Sequence, residues 1–386
     1  MVAKDRDKHG SLHFAFSEEQ ELYRRRIREF GKEVLVEHRE EWDREKKTPW
    51  PMIRQAVEKE LIKPNTDFVT LGIMVEEVGY FDFNCALPFL LATLPYELYR
   101  LPGIPVEIKQ PFIEGVTQGK KIMAVCFTEP VGGSDMAAFK GNAVKKGDYW
   151  CINATKNSIS WADADAYIVA VHIADSEAGV KGLTNFFVPN DTPGVNPPEI
   201  WNDLGSKGVK RGVIRFEDVH IPANYVVGEI YKGYPLIAEF FDTNRAFIGL
   251  KCIGAAQASV DEACIYAKER TVMGKTISHY QSISFSLAEA ETLLEAARLL
   301  SYKTLWMADQ GIRHTKEGSM CKWWVPEITF EIVRKCLTIH GHYGYTTDLP
   351  IEQRLRDILG WQIGDGTAEV SKLLIARGLM GKEFVD

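Results

Sequence analysis

The sequence predicts an α+β protein of three successive units, helical, then β-rich, then helical again. Three observations predict it. Apolar residues recur at helical spacing from Ser17 to about Lys121. Between about Ala124 and Gly233, short β-branched and aromatic runs alternate with Gly, Pro, Asn and Asp. From about Leu236 the helical period returns. The units are therefore placed at 1–123, 124–234 and 235–386.

In the first unit, Ser17 and Gln20 form the pattern of a capping box. Tyr23, Ile27, Phe30 and Val34 follow as one apolar stripe with charges between them. A further helix is expected through Ile73, Val75 and Val78, ending near Gly79. In the middle unit, Tyr149–Ala154, Ala166–His172, Leu183–Pro189 and Val213–Phe216 read as strands. Hairpin-length spacing leaves no room for crossover helices, which predicts an antiparallel barrel or sandwich. In the third unit, Leu293, Leu294, Ala297 and Leu300 form a stripe in a segment, Phe285 to Gln310, that lacks Gly and Pro. Pro326 is expected to start, kink or end a helix.

Bulk properties narrow the function. A chain of 386 residues is too long for one small core. A net charge of −7 leaves no basic excess to neutralise nucleic-acid phosphates. No run of about 18 uncharged apolar residues exists to span a membrane. Met1 to His13 is polar and lacks the apolar stretch of a signal peptide. The cysteines are scattered without a CxxC pair, which reads as reduced thiols in a cytoplasmic protein.

Four constellations carry chemistry. Thr128-Glu129-Pro130-Val131-Gly132-Gly133-Ser134-Asp135 is either a surface turn or a loop whose N–H groups and hydroxyls cradle the polar edge of a cofactor. Arg270, followed by Gly274 and Gln281, is either a helix C-terminal cap or a charge that holds a pyrophosphate. His340-Gly341-His342-Tyr343-Gly344 lacks the helical ligand spacing of a metal site and reads better as a glycine-lined approach to a ligand. Gly364-Asp365-Gly366-Thr367 is either a turn capping a helix from about Ala368 or a carboxylate base at a pocket mouth. No GxGxxG follows a strand, which disfavours a nicotinamide site.

From Ser17 to Gly381 the chain resembles the acyl-CoA dehydrogenase family. The resembling strings are Phe127–Asp135, Ile152–Lys156, Phe216–Pro222, Tyr266–Gln281 and Arg356-Asp357 through Gly366-Thr367, collinear and in one order. The resemblance implies a helical N-terminal domain, a middle β-barrel-like domain and a C-terminal four-helix bundle. It implies non-covalent FAD in a homotetramer, with an electron-transferring flavoprotein as acceptor. Phe127, Thr128, Gly133 and Ser134 are then expected at the flavin, with Ser160 near N5 and Thr367 also at the cofactor. Arg270, Gln281, His340, Gly341 and Gly344 are expected at the FAD of a neighbouring subunit. Asp242, Arg245 and Gly364 are expected near the acyl-CoA thioester. Asp365 is expected to be the base and, through its backbone N–H, one of two donors to the thioester oxygen; a flavin ribityl hydroxyl is the other.

The chain departs from the family pattern beside the reacting carbons. Asp365 stands where most members have Glu, Gly364 where an aromatic is common, and Ser158 where an aromatic is usual, with Trp161 close by. Asn244 occupies the position of an alternative Glu base, Met273 that of a frequent Phe, and Glu60 to Leu71 is shorter than usual. The expected activity is FAD-dependent dehydrogenation of a branched or alicyclic acyl-CoA, such as a cyclohexane-carboxyl thioester. The alternatives are a decarboxylating dehydrogenase of a dicarboxylic acyl-CoA, for which Phe81–Leu91 offers no cation, and a flavin-binding protein without dehydrogenation.

Overall fold

The computed structural model describes residues 15–93, 97–174 and 179–385. The polar segment Met1–His13 lies outside the described residues.

The N-terminal unit is helical: α1 (Glu18–Phe30), α2 (Val36–Glu45), α3 (Trp50–Glu58), α4 (Phe68–Phe81), α5 (Phe83–Thr93) and α6 (Val106–Thr117). The capping box forms at α1, with Gln20 N–H donating to Ser17 Oγ at 3.2 Å and Ser17 N–H to Gln20 Oε1 at 3.1 Å. Ile27 and Phe30 of the stripe are buried, and one π turn (Gly31–Leu35) carries the chain into α2. Gly79 does not end its helix. It lies inside α4, where an added Cβ would stand 2.8 Å from the Lys251 carbonyl oxygen. The glycine serves helix packing, not termination.

The middle unit is one eight-stranded sheet: β1 (Met123–Cys126), β2 (Asn142–Lys146), β3 (Tyr149–Ile159), β4 (Ala166–Ile173), β5 (Leu183–Pro189), β6 (Glu199–Ile200), β7 (Gly212–Pro222) and β8 (Val226–Val227). Its main path runs β6-β7-β3-β2-β4-β5-β8, with β1 paired to β4. Most ladders are antiparallel, but β1–β4 and β2–β4 are parallel. The β2–β3 hairpin lies between β1 and β4 in sequence and supplies the connection that a parallel ladder needs. β3 and β7 run longer than their apolar cores suggest, and their ladder shifts register twice.

The C-terminal unit contains α7 (Gly233–Glu269), α8 (Gln281–Asp309), α9 (Thr315–Ile339), α10 (Ile351–Ile363) and α11 (Ala368–Met380). The long helices α7, α8 and α9 pack together, α10 and α11 lie on α9, and α4 packs on α7 and α8. Pro326 lies within α9, and the Thr329 hydroxyl donates to the Val325 carbonyl at 2.7 Å beside it. A hairpin of β9 (Thr271–Val272) and β10 (Lys275–Thr276) joins α7 to α8. Its two-residue loop, Met273-Gly274, has both φ angles positive, the geometry that matches strand twist. Among the described residues, no helix is long and apolar enough to cross a membrane.

Candidate active site

A cavity of about 380 Å³ lies between the three units. Leu87 and Leu91 of α5 form an apolar part of its wall. The segment after β1 contributes Phe127, Thr128, Gly133 and Ser134, and the end of β3 contributes Ser158, Ser160 and Trp161. The helical side is built from Phe240, Asn244 and Arg245 of α7, with Trp361, Gly364, Asp365 and Thr367 of the α10–α11 junction.

Asp365 is held by the way two helices meet. Gly364 ends α10 with its N–H on the Gly360 carbonyl, and Thr367 starts α11 by accepting the Val370 N–H at 3.4 Å. Between them Asp365 adopts φ +56° and Gly366 φ +104°. Asn244 Nδ2 donates to Asp365 Oδ2 at 3.0 Å. Ser158 and Trp161, across the cavity lining on β3 and the turn after it, are also left-handed, at +57° and +52°. A left-handed backbone is unfavourable for residues with a side chain, so three strained positions converge on one cavity.

Buried cations surround the carboxylate. Arg245 donates to Asp242 Oδ1 at 3.0 Å and contacts Ser319 Oγ at 3.4 Å. Its Nε is buried without a partner among the described residues, and burial depresses its pKa. Lys322 of α9 donates to the Trp361 carbonyl at 2.8 Å, and burial pushes its ammonium down to about 8. Lys251 of α7 sits 3.0 Å from the centroid of the Trp361 ring, and burial pushes it down to about 7. Asp365 opposes these downward shifts by favouring the charged form of all three.

The sheet side is held from below by a buried ion pair. Lys156 Nζ donates to Glu129 Oε1 at 2.8 Å and to the carbonyls of Phe127 and Ala170. Glu129 in turn accepts from the N–H groups of Lys140 and Gly141. Glu129 is therefore a brace for the Thr128–Ser134 turn. Gly133 is close to Thr128, where an added Cβ would meet the Thr128 side chain at 3.3 Å.

The cavity brings together Phe127, Thr128, Gly133, Ser134, Ser160, Arg245, Gly364, Asp365 and Thr367 of the residues expected from sequence. Asp242 stands behind Arg245 and accepts from the Thr315 hydroxyl, outside the lining. Arg270 and Gln281 are exposed at the end of α7 and the start of α8. His340 is buried against Tyr266, ring centroids 4.5 Å apart, with Nδ1 bonded to the Cys336 carbonyl at 2.8 Å. Gly341 and Gly344 follow it at the same end of α9. None of these five lines the cavity. Trp161 enters the lining, whereas His340 does not. No group of three or more metal-binding side chains occurs among the described residues.

Sequence reading missed Arg211, Trp361, Lys251 and Lys322. Arg211, paired to Asp203 at 3.1 Å, reaches the lining from the start of β7. A signal existed for Lys251, a single charge in the apolar run from Ala246 to Ala256.

Family profiles match the whole architecture. Residues 17–96 match the acyl-CoA dehydrogenase N-terminal domain, residues 124–219 the middle domain and residues 231–380 the C-terminal domain. The 3-(aryl)acrylate reductase of Clostridium sporogenes is 31% identical over 95% of this chain and 99% of its own. The caffeyl-CoA reductase-Etf complex subunit CarC of Acetobacterium woodii is 32% identical over 95% and 100%. The structure of butyryl-CoA dehydrogenase from Megasphaera elsdenii superposes with a TM-score of 0.87 at 26% identity, covering 96% of this chain and 100% of that one. With three collinear domains and a fold shared from end to end, the chain belongs to the acyl-CoA dehydrogenase family, a family of oxidoreductases.

Proposed function

We propose that this enzyme interconverts an acyl-CoA thioester and its α,β-unsaturated form, with Asp365 exchanging the Cα proton. One observation carries the reading: a carboxylate on a strained turn shares a cavity with the hydroxyls of Thr128, Ser134 and Ser160. The cofactor is FAD, which when bound supplies the hydride acceptor. The sheet side suits it, because Gly133 allows close approach and Trp161 Nε1 is a buried donor lacking a partner among the described residues. On this reading Asp365 takes the proton, its backbone N–H stabilises charge developing on the thioester oxygen, and Arg245 holds the thioester region. Arg270, Gln281, His340, Gly341 and Gly344 lie outside this cavity, which supports their service to FAD in a neighbouring subunit of a homotetramer. The Etf-complex relative supports an electron-transferring flavoprotein as redox partner. Two relatives are named reductases, so both directions require assay.

The acyl group is branched or alicyclic, of the cyclohexane-carboxyl type. The base is one methylene shorter than Glu, and Gly364 and Ser158 leave volume beside Cα and Cβ that a linear chain would not fill. Trp161 occupies part of that lining, which limits the room gained. A dicarboxylic acyl-CoA is the second reading, favoured by Arg211 in the lining.

One series tests the proposal. Asp365→Asn keeps bound FAD and loses at least ~10²-fold in turnover, the reach of a general base; near-normal turnover removes Asp365 from the role. With the unaltered enzyme, cyclohexane-carboxyl-CoA gives a higher kcat/KM than butyryl- or octanoyl-CoA. A tenfold preference for a linear substrate, about 1.4 kcal/mol, overturns the shape argument. A preference for glutaryl-CoA selects the second reading.

A further inference from the structure

We propose that Asn244 is the positioning residue of the base: its amide clamps one oxygen of the Asp365 carboxylate and leaves the other to exchange the substrate proton. The inference rests on the reading of Asp365 as the base. Asn244 is 4% exposed, lies on α7 and lines the same cavity. Its Nδ2 is 3.0 Å from Asp365 Oδ2, an ordinary hydrogen bond from a neutral donor to a carboxylate.

Three consequences follow from the chemistry. First, a primary amide nitrogen only donates, so the bond fixes which oxygen faces Asn244 and restricts rotation of the carboxyl about its last torsion. Asp has one torsion fewer than Glu and cannot search for its proton, so orientation must come from outside the side chain. Second, a donor to the charged form favours ionisation, and it does so without adding a titrating group. A carboxylate at residue 244 would instead form a dyad with Asp365, in which like charges raise one of the two pKa values. Third, the clamp comes from a different helix than the base, so it transmits the α7 position to the α10–α11 turn. Lys322 reinforces the same turn by holding the Trp361 carbonyl, one helical turn before Asp365.

Among the described residues, charged and titratable groups coupled to Asp365 are Arg245 and Lys251 on α7, Lys322 on α9 and Tyr99 from the segment between α5 and α6, and Arg211 shares its cavity lining. These groups remain in an Asn244 variant, so a change in pH dependence isolates the amide.

The test compares Asn244→Leu, Asn244→Asp and Asp365→Asn as purified flavin-loaded enzymes, reading kcat and KM from pH 5 to 10. Asn244→Leu is expected to lower kcat tenfold or more at pH 7 with KM within about threefold. The acidic limb of its kcat profile moves to higher pH, so part of the loss is recovered at pH 9. Asn244→Asp is expected to move that limb further in the same direction. Loss of kcat at all pH values by one factor, or a profile that coincides with the unaltered enzyme, overturns the clamp. If Asn244→Leu fails to fold, Asn244→Asp, which preserves side-chain size, decides alone on the profile. Activity retained in Asp365→Asn would instead refute the base, whatever the Asn244 variants do.

Discussion

Glu129 shows how a motif residue can brace a cavity without lining it. It is 4% exposed, and its carboxylate meets Lys156, which has no exposure at all, together with two backbone N–H groups. Burial lowers the Lys156 pKa and Glu129 opposes that shift. A buried pair gains little over an apolar pair of equal shape, but removing one partner strands the other charge. Lys156→Met is therefore expected to destabilise by about 3–5 kcal/mol and to weaken FAD retention, because the brace under Thr128–Ser134 is lost. Adding Glu129→Gln to that variant removes the stranded charge and recovers part of the stability. Chemical unfolding of the single and double variants checks this. A single variant as stable as the parent shows that Glu129 needs no cation.

At the scale of elements, a backbone-to-backbone close approach marks the crossing of α4 and α7. An added Cβ on Gly254 would stand 2.1 Å from the Glu76 carbonyl oxygen, and one on Gly79 would stand 2.8 Å from that of Lys251. These are backbone atoms of the facing helix, so a methyl group can enter only by moving the helices apart. Gly254→Ala is expected to cost at least about 1–3 kcal/mol, the range for an overpacked core. Gly360→Ala in α10 meets nothing within 4 Å and is expected to gain a few tenths to about 1 kcal/mol from helix propensity. Thermal unfolding of the two variants should move in opposite directions; the same sign for both refutes the packing account. The crossing also marks the limit of what the sequence reveals. The Ser17 cap, the Leu294 and Ala297 stripe and the strand at Leu183–Pro189 are local patterns, and they stand where periodicity puts them. Gly79 reads as a stop because its real partner, Lys251, is remote in sequence. The same holds for the site. Asp365 and Thr128 were legible from motifs, but Arg211 and Trp361 join the cavity only through packing between elements. Lys322 looks like a helix-surface charge until α10 is laid over it.

Over the whole molecule, the joint between α7 and α10 carries an unusual set of buried charges, and they should shape how stability depends on pH. Asp357 is fully enclosed between the Ser206 N–H, at 2.5 Å, and Asn84 Nδ2, at 3.3 Å, and burial raises it to about 7. Asp82, on the same side of the joint, is raised by burial to about 6. Such acids keep a proton that the unfolded chain releases near pH 3.8, so their contribution is full below about 3.8 and declines as pH rises toward 6–7. Lys251 runs the other way. Its native pKa lies near 7 and its unfolded value near 10.5, so the unfolded chain binds more protons between these limits. Stability then rises with pH across that window, and the full penalty for the buried ammonium applies below about 7. The Trp361 and Phe83 rings, 3.0 and 4.9 Å away, offset the penalty in part through cation–π attraction. Lys251→Met replaces the ammonium by an apolar chain of similar length that also packs on aromatic rings. It is expected to raise the unfolding midpoint clearly at pH 6, with the advantage shrinking as pH approaches 10. Thermal unfolding of parent and variant at pH 6 and pH 10 checks this. A stability difference that is equal at the two pH values means that Lys251 does not change its protonation on folding, and the charged joint is then an ordinary packing contact.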